Sequence, residues 1–162
     1  MARVLITGVA GFIGMHTAIR FLRNGWEVLG IDNLNDYYSV QLKKDRLKEI
    51  ESISIKLNRR FVFHQNDLNS DVWKRLESVR FDALIHLAAQ AGVRYSLENP
   101  MTYLESNIIG FHKVLDFVTY KQIDRFIYAS SSSVYGKESK QPFSENAACN
   151  SPESLYAATK KA

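Results

Sequence analysis

A single cysteine, Cys149, stands among 162 residues, which excludes an intramolecular disulfide and favours a reducing compartment. No apolar run approaches the ~20 residues that a bilayer-spanning helix needs. The N-terminus lacks the apolar stretch of a secretory signal and enters a strand-like run, Arg3-Val4-Leu5-Ile6, at once. Lysines and arginines are scattered, with no basic run interleaved with aromatics, so a nucleic-acid groove is not supported. The net charge of +4 fits an anionic small molecule equally well. Repeats, low-complexity tracts and linkers are missing too. What remains is a soluble, cytoplasmic protein with neither nucleic acid nor membrane as partner. Its 46% hydrophobic and 23% charged composition suits one globular domain with a core.

Short apolar runs alternate with helical patterns, which predicts an α/β fold: a Rossmann-like, doubly wound parallel sheet with helices on both faces. Strands are expected at Val4–Thr7, Glu27–Asp32, Arg60–His64, Ala83–Leu87 and Arg125–Ser130, each apolar on both faces as covered strands should be. Helices are expected at Phe12–Asn24, Tyr38–Ile50 and Ser70–Leu76. A further helix follows from Leu104, Ile108, Phe111, Leu115 and Val118, whose spacing puts one apolar stripe on one face. A last helix is expected to be capped by Ser151 with Pro152 at its first position. It runs to Ala162 with no turn or strand after it. Residues 1–162 therefore read as the N-terminal, dinucleotide-binding part of a longer enzyme whose substrate-binding part is missing.

Thr7-Gly8-Val9-Ala10-Gly11-Phe12-Ile13-Gly14 sits directly after a strand and opens a helix. Gly8, Gly11 and Gly14 permit a tight turn, close approach of backbone to a pyrophosphate, and close packing of helix on strand. At Phe12 and Ile13 the helix N-terminus presents free N–H groups and partial positive charge to phosphates. Asp32 ends the second strand, where a carboxylate accepts both hydroxyls of an adenosine ribose and repels a 2′-phosphate, so NAD is favoured over NADP. Asp67-Leu68 follows the third strand; Asp67 either bonds an adenine amine or forms the turn before Ser70. Asn107 lies beside the apolar stripe, and is either a bond to backbone near the cofactor or an ordinary buried asparagine.

Tyr156 and Lys160 stand at i and i+4 on one helical face. A phenol ionises near pH ~10, and a lysine ammonium one turn away favours its phenolate, bringing it towards use as a base. Alone the pair is weak evidence. The serine run Ser130–Ser133, however, ends the fifth strand, where polar side chains face the crevice of such a sheet. A serine hydroxyl there can donate to a substrate oxygen or relay its proton to Tyr156. No metal-ligand set stands out.

Together, TGVAGFIG at 7–14, GIDNL at 30–34, HLAAQAGVRYSLENP at 86–100, SSSSVYG at 130–136 and YAATK at 156–160 span the chain. They resemble the extended short-chain dehydrogenase/reductases of the NAD-dependent epimerase/dehydratase family that act on nucleotide sugars. GIDNLNDYY at 30–38 and AAQAGVRYS at 88–96 are most similar to the UDP-glucuronate 4-epimerase group. The resemblance implies Tyr156 as base, Lys160 as the residue holding the nicotinamide ribose, and Ser131 as the catalytic hydroxyl. It implies that Asn33, Leu87, Ala88, Ala89 and Gln90 line NAD, and that Val93, Arg94, Ser96, Ser132 and Ser133 approach the sugar. For Arg94 the alternative reading is an ordinary surface arginine.

The implied reaction is epimerisation at carbon 4 of a UDP-hexuronate through a 4-keto sugar, by an enzyme that is a homodimer at full length. Dehydratases and decarboxylases of the family carry acids just before Val-Tyr-Gly. Ser132 and Ser133 stand there instead, which disfavours both. Another epimerase, a dehydratase or decarboxylase, and a non-catalytic NAD-binding module are the alternatives.

Overall fold

A computed structural model describes residues 1–137 and 141–162. The chain divides into two compact units, one of residues 1–88 with 113–128 and one of residues 89–112 with 129–162.

The first unit holds a five-stranded, all-parallel sheet, β1 (Arg3–Thr7), β2 (Glu27–Asp32), β3 (Phe61–Gln65), β4 (Ala83–His86) and β5 (Phe126–Tyr128), in the order β3-β2-β1-β4-β5. Alternation along β1, β2 and β4 sends side chains to two covered faces, whereas Ile127 and Tyr128 of β5 are exposed. Val4, Ile6, Val28 and Ile85 pack with Ala18, Ile19 and Leu22 of α1 (Phe12–Arg23) and Ile50 of α2 (Val40–Lys56). Leu5, Leu29, Ile31 and Leu84 pack on the opposite side with Val72 of α3 (Val72–Arg75) and with Val114 and Phe117 of α6 (Gly110–Lys121). The doubly wound architecture expected from the sequence is present. Because β1 lies between β2 and β4, strand order reverses there, and the C-terminal ends of β1 and β4 open the crevice in which this architecture binds ligands.

In α2 the Ser39 hydroxyl accepts from the Leu42 N–H. The helix runs past Ile50 to Lys56, ending where Asn58 takes a left-handed conformation (φ 48°).

The second unit contains α4 (Tyr95–Glu98), α5 (Pro100–Tyr103), a π-helical stretch at Leu104–Ile109, a 3-10 turn at Ser132–Tyr135, and α7 (Leu155–Lys161). Here α7 packs on the 3-10 turn, α4, α5 and the π stretch. Ser154, not Ser151, caps α7: its hydroxyl accepts from the Ala157 N–H at 3.0 Å. Ser151 lies outside the helix, with its carbonyl oxygen against Gly136, where an added Cβ would fall 2.3 Å from it, and Glu153 pairs with Lys137.

The apolar stripe expected at 104–118 is not the buried one. Leu104 and Ile108 are each 36% exposed and Leu115 38%, whereas Tyr103, Asn107, Gly110, Val114 and Phe117 are buried. The buried set has the same period one residue earlier, and a polar asparagine within it hides it from a hydrophobicity pattern.

Candidate active site

In the first unit the turn after β1 is drawn tight. Gly8 has φ 71°, its N–H donates to the Ile31 carbonyl at 2.8 Å, and a Cβ there would lie 2.6 Å from the Ala88 backbone nitrogen. A Cβ on Gly14 would lie 2.1 Å from the Gly8 carbonyl oxygen, so α1 can approach its own entry loop only without a side chain at that position. Gly11 N–H closes the turn onto the Gly8 carbonyl at 3.0 Å. Among the described residues no side chain caps α1, and its first turn holds no acid. Phe12 and Ile13 are 65% and 61% exposed. The result is an open helix N-terminus able to receive an anion.

Asp32 reaches back to this loop. Its carboxylate accepts from the Ala10 N–H at 3.1 Å and from the Leu34 N–H at 2.9 Å. Exposed Asn33 donates its amide to Asp67 at 2.9 Å, which ties the loop after β2 to the loop after β3. Asp67 also forms the turn foreseen for it, accepting from the Asn69 N–H, while its exposed carboxylate stands beside Asn33. Leu68 is buried, and its carbonyl takes the Trp73 indole N–H at 2.6 Å. Leu87 and Ala88 are half-buried; their N–H groups donate to the carbonyl and the hydroxyl of Thr7.

The catalytic candidates fall in the second unit. On α7, Tyr156 and Lys160 are half-buried on one face, while Ala157 and Thr159 face inward. The Tyr156 ring meets Tyr103 edge-on at 6.0 Å between centroids. Lys160 Nζ donates to the Ala129 carbonyl at 3.1 Å, and burial lowers the pKa of its ammonium from the ordinary lysine value. Ser131 caps the 3-10 turn that packs on α7: its hydroxyl accepts from the Ser133 N–H and donates to the Ser133 hydroxyl at 3.1 Å. Ser132 is exposed and Ser133 half-buried.

Half-buried Ala89 precedes Gln90, which is 3% exposed. Asn107 accepts from the Gln90 N–H at 2.8 Å and donates to its carbonyl at 3.0 Å and to the Thr159 hydroxyl at 3.0 Å. One amide thus fixes the segment after β4 and α7 together. Val93 and Arg94 are exposed and available to a ligand, whereas Ser96 is 1% exposed and spends its hydroxyl on the Val93 carbonyl at 2.6 Å. Ser96 shapes this turn from inside.

Three supports had no motif to announce them. Thr7 Oγ1 lies 2.7 Å from His86 Nδ1 and fastens the ends of β1 and β4. Tyr103, fully buried, donates its hydroxyl to the Ala91 and Gly92 carbonyls, so it braces the loop after β4 as well as Tyr156. Lys43 and Arg46 of α2 reach the loop around Asp32. A period-3.6 reading of α2 marks them only as cations on a polar helix.

A parallel sheet with a glycine-closed turn after β1, an acid ending β2, a serine turn after β5 and a Tyr-x-x-x-Lys helix defines a short-chain dehydrogenase/reductase. Within that class the family described as GDP-mannose 4,6 dehydratase matches residues 5–162, and the chain belongs to it. It is 48% identical to Protein CapI of Staphylococcus aureus, covering 98% of this chain and 46% of that protein. It is 47% identical to UDP-glucuronate 4-epimerase 2 of Arabidopsis thaliana, covering 98% of this chain and 36% of that one. Among solved structures, UDP-glucuronic acid 4-epimerase from Bacillus cereus, in complex with UDP-glucuronic acid and NAD, superposes with a TM-score of 0.84 at 36% identity. That match covers 98% of this chain and 49% of the other. The chain spans about half the length, or less, of the relatives it matches.

Proposed function

We propose that these residues form the cofactor-binding and catalytic part of an NAD-dependent nucleotide-sugar 4-epimerase, with UDP-glucuronate and UDP-galacturonate as its substrate pair. The observation that carries the reading is the packing of α7, with Tyr156 and Lys160, on a turn that offers the hydroxyls of Ser131–Ser133 and no carboxylate. Its similarity to UDP-glucuronate epimerases directs the choice of sugar.

NAD fits the first unit. The uncapped start of α1, with glycine required at 8 and 14, suits its pyrophosphate, and Asp32 suits its adenosine ribose. When bound it supplies reversible oxidation of the sugar's 4-hydroxyl.

The chain's own residues handle the proton. Tyr156 takes the proton of that hydroxyl as the sugar becomes a 4-keto species, and returns it after the sugar has turned over. Ser131 donates to the same oxygen and Lys160 holds the nicotinamide ribose. A hydroxyl turn without an acid gives no base for removing a second proton from the sugar, which favours epimerisation over dehydration. Exposed Leu97, Met101, Leu104 and Ile108, four and three residues apart, support a homodimer of the complete protein.

The test is proton NMR of UDP-glucuronate incubated, without added NAD, with the protein from the complete reading frame. Conversion to UDP-galacturonate supports the assignment and shows retained cofactor. Loss of the carboxylate would mean decarboxylation and overturn it. Tyr156→Phe should abolish conversion and leave NAD bound; unchanged behaviour on every assay would instead mark a non-catalytic module. Residues 1–162 alone should bind NAD weakly and show no appreciable turnover.

A further inference from the structure

Tyr156 is the base of the proposed reaction, yet few side chains hold it in place. Among the described residues its hydroxyl has no hydrogen-bond partner, which leaves the oxygen open to a ligand. Its ring meets one other ring there, that of Tyr103. The two stand at 75° with 6.0 Å between centroids, the edge-to-face arrangement in which aromatic rings attract. The direction in which the base points therefore depends on a residue that no motif includes.

Tyr103 is well fixed for that task. It lies at the end of α5, fully buried, immediately before the π-helical stretch. The Tyr95 ring is 6.3 Å from its own, and Tyr95 is itself tethered by the Asn99 amide at 3.1 Å. At its far end the phenol shares its single proton between the carbonyls of Ala91 and Gly92, at 2.8 and 2.5 Å. No strand or helix includes residues 89 to 92, so no ladder supplies partners for those carbonyls. Gly92 takes φ 101°, which favours glycine, and Ser96 closes the turn from within through the Val93 carbonyl. The next residues of that turn, Val93 and Arg94, are exposed.

We propose that Tyr103 is a positioning residue with two ends: its hydroxyl sets the turn that presents Val93 and Arg94 to the sugar, and its ring sets the angle at which Tyr156 meets the sugar's 4-hydroxyl. One buried phenol thus keeps the sugar-binding turn and the base at a fixed spacing. This rests on the proposed reading of Tyr156 as base and of Val93 and Arg94 as sugar contacts. Chemistry separates the two ends. Deleting the hydroxyl while keeping the ring loosens the turn and weakens binding of ground state and transition state alike, which raises KM. Deleting the ring frees the base and acts on the chemical step, which lowers kcat.

The experiment is steady-state epimerisation of UDP-glucuronate by wild type, Tyr103→Phe and Tyr103→Leu, each expressed from the complete reading frame. Turnover is counted per bound NAD, so that unfolded protein does not contribute. Tyr103→Phe should raise KM at least about fivefold and keep kcat within about twofold, because two carbonyls lose their donor and the ring stays. Tyr103→Leu should raise KM to a similar extent and also lower kcat at least about tenfold, since displacing a reacting group by about 1 Å is costly. A role in stability alone would reduce the NAD-bound fraction and leave KM and kcat per site unchanged in both variants, which overturns the proposal. Equal losses of kcat in the two variants overturn it too, because the ring would then do nothing that the hydroxyl does not. If Tyr103→Leu does not fold, Tyr103→Phe carries the test, and an unchanged KM overturns it. NAD-loaded wild type that leaves UDP-glucuronate unchanged overturns the functional reading and this proposal together; active wild type with unaffected variants overturns this proposal alone.

Discussion

Gly30, in the middle of β2, underlies the glycine turn so closely that no side chain fits there. A Cβ there would fall 2.6 Å from Val9 Cγ1 and 2.9 Å from Val9 Cβ and Cγ2. Gly30 is fixed between Ile6 and Phe63 in the sheet, and Val9 is fully buried with a β-branched side chain that has little rotamer freedom. Gly30→Ala should therefore overpack the site at a cost of about 2 kcal/mol. For a chain of this size that lowers Tm by about 4–8 °C. Val9→Ala deletes two buried methyls and should cost about 2 kcal/mol by itself. In the double variant the new methyl enters the space the valine vacated, so the pair should be less harmful than the sum by about 1–2 kcal/mol. Affinity follows the same logic. Val9 lies between Gly8 and the Ala10 N–H that holds Asp32, so displacing it disturbs both the glycine turn and the setting of Asp32. Gly30→Ala should weaken NAD by at least about tenfold, and Val9→Ala in the same chain should restore part of it. Thermal melting by circular dichroism and NAD titration of the three variants decide the matter. Additivity within about 0.5 kcal/mol, or unchanged NAD affinity in Gly30→Ala, would refute the reasoning.

Asn107→Leu leaves the Gln90 N–H and carbonyl buried and unpaired, and should cost about 3–5 kcal/mol in urea denaturation; a loss below about 1 kcal/mol would mean the amide is dispensable. Gly136→Ala combines φ 69° with a Cβ 2.3 Å from the Ser151 carbonyl, and should cost about 3 kcal/mol, read as a Tm drop of about 6–12 °C. Lys160 has a lowered folded-state pKa, so between that pKa and the unfolded value near ~10.4 the unfolded chain holds the extra proton and stability rises with pH. Lys160→Gln should flatten that rise; because Lys43 shifts in the same direction in both proteins, the difference between their curves reports Lys160. Parallel curves up to pH ~10.4 would contradict the burial argument.

Legibility followed chemistry that is local in sequence. β1, β2 and β4 were readable because strands covered on both faces make unbroken apolar runs, and β2 was placed to the residue at Glu27–Asp32. The glycine turn and the Tyr156–Lys160 spacing were readable because their geometry is fixed within a few residues. Helix phase was not. The stripe at 104–118 misled by one position because the buried face there includes Asn107, whose side chain is matched by Gln90 and Thr159, 17 residues before it and 52 after. A polar group becomes a core residue only through partners that the fold brings to it. The same reason hid Thr7 with His86, and Lys43 with Asn35. Ser154 replaced Ser151 as the cap of α7 for a further reason, since two serines three residues apart are equivalent as local signals and the Ser151 carbonyl is held close against Gly136. Motifs therefore announce the groups nominated for binding and proton transfer, while the groups that hold them are selected by distant pairing. Those holders are where substitutions with no motif to warn of them should alter stability and cofactor affinity together.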